Sequence, residues 1–218
     1  MTAAVARVAL IHALAHSVDP VNLELARRWP ECRRMNLLDD SLSEDLARAG
    51  RLDARMTARF LTLADYAVGC GAQGLLFTCS AFGPCIDEVA RRHAAIPVLK
   101  PNEAMIDEAA ASGGRIGLVA SFAPTLASMP AEFPAGTDLR TRLAVGALDA
   151  LDRGDHAGHD AAVAAAAEAL VRDEACTVVV LAQFSMARAA ELVASRAKAR
   201  VLTTVESAVR RLRERLEL

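Results

Sequence analysis

The sequence contains few of the residues that mark several classes of protein. Among 218 residues there are one Trp and one Tyr, so the chain offers no aromatic platform on which nucleic-acid bases could stack. The formal net charge is −2, with basic and acidic residues interspersed, which gives no reason to expect a nucleic acid or a membrane surface as partner. No apolar run approaches the roughly 20 residues of a membrane span.

The cysteines form no recognisable framework. There are five of them, and none form a C-x-x-C pair, which argues against a zinc site and against a secreted disulfide scaffold. The start of the chain lacks the basic segment of a signal peptide, so we expect none. We therefore expect a cytoplasmic protein, in which Cys32, Cys70, Cys85 and Cys176 are packing or surface residues.

Apolar residues make up 53% of the chain, enough for a sizeable core. Short β-branched or leucine-rich runs alternate with longer alanine- and arginine-rich stretches. This alternation predicts an α/β fold, with parallel sheets covered on both faces by helices. The predicted strands are residues 7–12, 33–37, 74–77, 97–100, 115–120, 138–143, 177–182 and 200–203, and the predicted helices are 22–28, 43–49, 53–69, 84–93, 102–112, 159–173, 187–198 and 206–216.

The second half of the chain resembles the first half. Similar pairs are 8–11 with 116–119, Cys79 with Gln183 and 97–104 with 200–207, at offsets of 108, 104 and 103 residues. Three near-equal offsets in the same order favour a duplication, although strands of α/β proteins also resemble one another. A duplication predicts two pseudo-symmetric, doubly wound lobes, with the active site in the cleft between them.

Cys79 is the strongest candidate for chemistry. It follows a buried strand, and the carboxyl end of a parallel strand is where α/β proteins place their functional groups. Thr78 and Ser80 put hydroxyls on both sides of it. A helix opens near Pro84, and backbone N–H groups at a helix start favour a thiolate. The alternative is a cysteine that simply packs in the core, but the position and the flanking hydroxyls favour a functional role.

Two motifs carry a resemblance to a known family. The segment 75–83, LLFTCSAFG, resembles the first cysteine motif of the aspartate/glutamate/hydantoin racemase superfamily. The segment 181–187, LAQFSMA, is similar to the second cysteine motif, with Gln183 at the cysteine position. The superfamily includes amino-acid and hydantoin racemases, maleate isomerases and arylmalonate decarboxylases. The resemblance implies a cofactor-free enzyme of two α/β lobes that forms a carbanion or enolate beside a carboxylate or carbonyl.

The resemblance also implies a domain arrangement. Residues 1–98 together with 204–218 would form the first lobe and residues 99–203 the second, because the two halves are interleaved in this superfamily. The final helix would then return to the first lobe. A homo-oligomer, by default a dimer, is expected for such enzymes from base rates alone.

Gln183 departs from the racemase pattern. A glutamine cannot take or give a proton near neutral pH, but it can hydrogen-bond a carboxylate or carbonyl oxygen. Inversion by two bases needs one on each face, and Ser80 stands where amino-acid racemases tend to carry Asn. We predict a cofactor-independent racemase or isomerase that acts on a small carboxylate or carbonyl compound, with Cys79 as base or nucleophile. The alternatives are a one-cysteine decarboxylase or lyase, and a binding protein that lost its racemase activity.

Other polar residues follow predicted strands and could bind the substrate. An enediolate needs hydrogen-bond donors that are placed beforehand. Each candidate alone is more often a cap or turn residue, and only their common position at strand ends suggests a site. The candidates are Thr78, Ser80, Ser121, Thr125, Ser185, Thr203 and Thr204.

The histidines allow two further hypotheses. His12 follows the first strand, where it could lower the pKa of the thiol or act as the missing second acid, or be a solvated loop residue. His156 and His159 lie in a polar stretch with three aspartates. We interpret this stretch as a solvated loop and expect no metal site there.

Overall fold

The computed structural model describes residues 5–216, and these residues divide between two compact units. The first unit extends up to Pro101 and resumes at Ala208, and the second unit is Asn102–Ser207. Each unit contains one four-stranded parallel sheet with helices packed against it. The first unit therefore takes its last helix segment from the end of the described chain.

Strands and helices alternate along the described residues, as the apolar runs predicted. The strands are β1 (Arg7–His12), β2 (Arg33–Leu38), β3 (Gly74–Phe77), β4 (Val98–Leu99), β5 (Ile116–Ala120), β6 (Leu139–Leu143), β7 (Val178–Leu181) and β8 (Arg200–Thr203). The helices are α1 (Val18–Arg28), α2 (Ser41–Ala49), α3 (Ala54–Gly69), α4 (Gly83–Arg92), α5 (Glu103–Ala111), α6 (Ala123–Ser128), α7 (Ala147–Asp152), α8 (His156–Glu174), α9 (Ala190–Ala197) and α10 (Thr204–Leu216).

The two sheets have the same topology. Their strand orders are β2-β1-β3-β4 and β6-β5-β7-β8, and every neighbouring pair is parallel. In the first sheet Ile11 is in register with Phe77, and in the second Val119 is in register with Leu181. The residues that follow β3 and β7 therefore leave their sheets at equivalent places. The predicted fold class, two α/β lobes built on parallel sheets, is confirmed.

Burial on both faces explains the continuous apolar strands. In β7, Val179 and Leu181 belong to one buried cluster, whereas Val178 and Val180 belong to another. Successive side chains of a strand point to opposite faces, so both faces of this sheet are covered by apolar residues. A strand buried on both sides is apolar throughout rather than alternating.

The structure differs from the prediction around the polar stretch before α8. Helices α6 and α7 were not predicted, because each has only six residues, too few for a clear 3.6-residue periodicity. Helix α8 begins at His156 because the Asp155 carboxylate accepts a hydrogen bond from the N–H of Gly158 at 2.9 Å, an N-cap. His159 therefore lies inside a helix and is fully buried. The interpretation of this histidine as part of a solvated loop was wrong.

Candidate functional site

Cys79 lies two residues after β3, where the chain enters a helical turn, Ser80–Phe82, that leads directly into α4. The backbone N–H of Ala81 donates to the Cys79 sulfur, which favours the thiolate. Burial of the side chain opposes this and is the larger effect, so the pKa of Cys79 is raised above its ordinary value. The resting group at neutral pH is the thiol. The helix start alone predicted a lowered pKa, because the burial of Cys79 cannot be read from the sequence.

The thiol lies beside a narrow recess. Cys79 is partly buried, and most of the side chains around the recess are apolar. Few polar groups in the recess could solvate a negative charge on sulfur, which explains why the neutral thiol is favoured. The recess is lined by Ile11, His12, Ala13, Leu42, Phe60, Phe77 and Cys79.

His12, the last residue of β1, is close to the residue that precedes Cys79. Its Nδ1 lies 3.0 Å from Thr78 Oγ, and its Nε2 lies 3.0 Å from Asn36 Oδ1. The side chain is 0% exposed. Burial lowers the pKa of His12, while the hydrogen bond with Asn36 opposes that shift. His12 is therefore a buried polar residue that contacts Thr78, not a solvated loop histidine.

Gln183 occupies in the second unit the place that Cys79 occupies in the first. It lies two residues after β7. Its Oε1 accepts hydrogen bonds from the backbone N–H of Ser121 at 2.7 Å and from Ser121 Oγ at 3.1 Å. Two donors on one side of the amide fix the oxygen on that side. The two N–H bonds of Nε2 are thereby left to donate, and this position can bind an acceptor oxygen of a ligand.

The remaining predicted residues differ in their hydrogen bonding and burial. Thr203 Oγ accepts a hydrogen bond from the N–H of Glu206 at 3.1 Å and so caps α10. Thr204 is fully buried, and its Oγ has no hydrogen-bond partner among residues 5–216. Thr125 is buried, whereas Ser80 and Ser185 are partly buried. Among the predicted residues, His12 contacts Thr78 in the first unit, and Ser121 contacts Gln183 in the second unit.

Two residues of the His12 environment were missed from the sequence. Asn36 lies in β2 and Asn22 in α1, and their side-chain amides hydrogen-bond each other. The only signal was an amide inside a strand, at position 36. Recognising its role requires the parallel pairing of β1 with β2, in which Leu10 is in register with Asn36.

Within residues 5–216, no group of three or more His, Cys, Asp or Glu side chains is arranged to hold a metal ion. No helix in this part of the chain has the length and apolar character needed to cross a membrane.

Comparison with known proteins identifies relatives of the whole fold. The sequence profile described as Asp/Glu/Hydantoin racemase matches residues 21–212, which include both Cys79 and Gln183. A search of curated protein sequences finds no match.

Solved structures with the same fold are distant in sequence. Allantoin racemase from Klebsiella pneumoniae has a TM-score of 0.70 at 17% identity, over 96% of this chain and 86% of that protein. An aspartate racemase homologue from Pyrococcus horikoshii has a TM-score of 0.72 at 13% identity, over 95% and 97% of the two chains. A glutamate racemase from Bacillus anthracis has a TM-score of 0.70 at 11% identity, over 97% and 82%. At these identities the likeness establishes the fold and does not identify a substrate.

Proposed function

Because this chain belongs to the Asp/Glu/hydantoin racemase family, we propose that it is a cofactor-independent racemase or isomerase acting on a small carboxylate or carbonyl compound through Cys79. The family membership confirms the resemblance predicted from the two motifs, and it makes this protein a racemase-type enzyme of the isomerase class. One observation carries the finer proposal. Cys79 stands two residues after β3, and a hydrogen-bonding glutamine, unable to act as a base, stands at the equivalent place after β7.

The proposed chemistry begins with Cys79 as a base. The thiol first loses its proton to solvent, and the resulting minor thiolate form removes a proton from the carbon next to the carboxylate or carbonyl. The C–H electron pair then moves into an enediolate or enolate. Donors placed beforehand stabilise the negative charge on oxygen. The Nε2 of Gln183 is the best defined of these donors, and Ser80 and Ser185 are further candidates. The S–H proton exchanges with solvent, a solvent-derived proton is then delivered from sulfur to carbon, and the thiolate is regenerated.

Gln183 makes this chemistry one-sided. Because an amide does not act as an acid or a base near neutral pH, no proton can be delivered to the carbon from position 183. A proton that returns from Cys79 arrives on the face from which it left. The expected elementary reaction is therefore exchange of the carbon-bound proton without inversion, and net racemisation would require a second acid elsewhere.

The raised pKa of the thiol favours a second candidate, a decarboxylase of the same family. A neutral thiol is a proton donor without prior deprotonation. In a decarboxylation the electrons of the broken C–C bond stay on carbon, carbon dioxide leaves, and the thiol protonates the carbanion. One cysteine is sufficient for that sequence.

We place the enzyme in the cytoplasm, where reducing conditions keep cysteines free. All five cysteines are free thiols, which supports this location. A homo-oligomer stays a prediction from base rates.

The proposal can be tested by proton exchange in deuterated water, followed by NMR across amino acids, hydantoins, 2-aryl malonates and maleate. We expect the wild type to exchange the proton next to the carboxylate or carbonyl of at least one compound without inverting the centre. Cys79→Ser should exchange it about 10²- to 10⁴-fold more slowly, which is the usual contribution of an acid–base group. Cys70→Ser is the matched control for loss of a partly buried thiol and should match the wild type.

Other outcomes separate the rival functions. Release of carbon dioxide would select the decarboxylase. Inversion by the wild type would show that a second acid exists. Binding without turnover of any of these compounds would contradict the proposal and identify a binding protein.

A further inference from the structure

A chain of hydrogen bonds connects helix α1 to the residue before Cys79, and it begins at a backbone carbonyl. The side-chain Nδ2 of Asn22 lies 2.7 Å from the carbonyl oxygen of Val18. Since a carbonyl oxygen can only accept, the atom of Asn22 that faces it must be the nitrogen. The orientation of this amide is thereby fixed by the backbone rather than chosen.

The Asn22 orientation fixes that of Asn36. Asn22 Nδ2 also lies 2.8 Å from Asn36 Oδ1, and Asn36 Nδ2 donates to Asn22 Oδ1 at 3.2 Å. If the Asn36 amide were reversed, two nitrogens and two oxygens would face each other. The oxygen of Asn36 is therefore the atom that lies 3.0 Å from His12 Nε2. An acceptor at this distance requires that Nε2 carries a proton.

The imidazole has two states with a proton on Nε2, the neutral ring and the imidazolium. The side chains that hydrogen-bond His12, Thr78 and Asn36, are both uncharged. The backbone N–H of Asp39 donates to the His12 carbonyl at 3.0 Å, and the Asp39 carboxylate is bound by Ser41 and Arg59. Burial lowers the pKa of His12, so the neutral ring is the favoured state.

A neutral ring with its proton on Nε2 has a lone pair on Nδ1. Thr78 Oγ lies 3.0 Å from this nitrogen and 3.4 Å from the carbonyl oxygen of Ile11. A hydroxyl has a single proton to donate, and the shorter contact is the better hydrogen bond. The backbone N–H of Thr78 donates separately to the Ile11 carbonyl at 3.1 Å. Thr78 is thus held to β1 by both its backbone and its side chain.

We infer that His12 is a neutral, Nε2-protonated positioning residue, whose Nδ1 accepts a hydrogen bond from the Thr78 hydroxyl and so fixes the chain next to Cys79. The inference rests on the proposed function only in that Cys79 is the reacting group. His12 is then not the missing second acid, because its Nε2 proton is held by Asn36 and its Nδ1 is occupied by Thr78. The hydroxyl of Thr78 is equally committed and cannot donate to a substrate anion. Ser80 and Gln183 then remain as the side-chain donors nearest in sequence to the ends of β3 and β7.

The protonation state can be read directly from the wild-type protein. Two-bond ¹H–¹⁵N correlation spectra of ¹⁵N-histidine-labelled protein distinguish the two neutral tautomers from the imidazolium, and His12→Gln identifies the signals of His12. We expect the Nε2–H tautomer at pH 7. In Asn36→Asp, a carboxylate facing Nε2 favours the charged ring, so His12 should become an imidazolium at the same pH. An Nδ1–H tautomer or an imidazolium in the wild type would overturn the inference.

Proton exchange catalysed by the enzyme tests the consequence for Cys79. Misplacement of a reacting group by about 1 Å can cost about 10²-fold in rate, so we expect His12→Phe to lower the exchange rate by about 10- to 100-fold. His12→Gln, whose amide offers a donor and an acceptor, should recover part of the loss. His16→Phe removes an exposed imidazole from the segment between β1 and α1 and is the matched control. Equal rates for His12→Phe and His16→Phe would contradict the inference.

The two proposals fail in different ways. If no compound exchanges, the proposed function fails while the tautomer of His12 is still measured. If compounds exchange through Cys79 but His12 carries its proton on Nδ1, the positioning role fails and the proposed function stands.

Discussion

The two units share one topology but use different polar contacts at the same strand ends. In the first unit, Thr78 hydrogen-bonds His12, and the contact joins the ends of β3 and β1 one residue before Cys79. In the second unit, Gln183 hydrogen-bonds Ser121, which joins the ends of β7 and β5 at the equivalent of Cys79 itself. The first unit therefore holds Thr78, the neighbour of the proposed base, rather than Cys79 itself. The second unit holds Gln183 directly and fixes the orientation of its amide.

The cores behind these strand ends differ as well. In the first unit Phe60 contacts Phe77 and Phe82, with ring centroids 5.5 and 4.9 Å apart. In the second unit small residues let helix and sheet approach closely. A Cβ on Gly117 of β5 would lie 3.0 Å from Cδ1 of Leu170 in α8. Aromatic rings thus pack beside the strand that leads to the thiol. In the second unit, the Leu170 side chain packs closely against the backbone of β5 at Gly117.

The largest expected effect is at the aromatic cluster. We expect Phe60→Ala to lower the free energy of unfolding by about 3–5 kcal/mol, because it leaves a cavity against both neighbouring rings. Phe60→Leu keeps most of the volume and should cost less than about 1.5 kcal/mol. Urea denaturation measures both values. A loss below about 1 kcal/mol for Phe60→Ala would show that the cluster is not what supports the first unit.

Buried thiols offer a second way to sharpen the comparison. Burial raises the pKa of Cys32, in the first unit, from 9.0 to about 11. Burial also raises the pKa of Cys176, in the second unit, but the nearby Arg115 opposes that shift. A raised folded-state pKa stabilises the protein below the unfolded-state pKa, and this stability is lost as the pH rises from about 9 to 11.

We therefore expect alkaline destabilisation to come mainly from the first unit. At about 1.4 kcal/mol per pH unit, Cys32 accounts for about 3 kcal/mol between pH 9 and 11. Denaturation of Cys32→Ala across that range should show a correspondingly shallower fall than the wild type. Cys176→Ala is the matched control in the other unit and should retain most of the fall. Identical pH profiles for the wild type and Cys32→Ala would contradict this expectation.

The sequence predicted those features that depend on neighbours along the chain. Apolar runs placed the inner strands β3, β5 and β7, because a strand buried on both faces must be apolar throughout. The motifs around Cys79 and Gln183 gave the family, since the residues at the end of a strand are contiguous. The six-residue helices α6 and α7 were missed because they are too short to show a period.

What the sequence could not provide depends on pairing and burial. From the sequence, His12 fits a site residue and a solvated residue equally, because its contacts come from Asn36 in β2 and from Thr78, which follows β3. The sequence also missed that the pKa of Cys79 is raised, since the helix start is visible in the sequence and the apolar recess is not. The solvated interpretation of His159 failed because its burial comes from packing within the second unit.

The smallest expected effect tests the contact that distinguishes the second unit. Ser121→Ala removes the Oγ bond to Gln183 and leaves the backbone N–H bond. A neutral hydrogen bond is worth about 1 kcal/mol, so KM for a substrate found by proton exchange should rise about fivefold with kcat unchanged. Ser128→Ala, in the same unit on the exposed side of α6, should leave KM as in the wild type. Because Ser121 acts through Gln183, its substitution should have no further effect on KM in a Gln183→Leu background. An additive effect there would mean that Ser121 contacts the substrate itself, and the second unit would then present a hydroxyl as well as an amide.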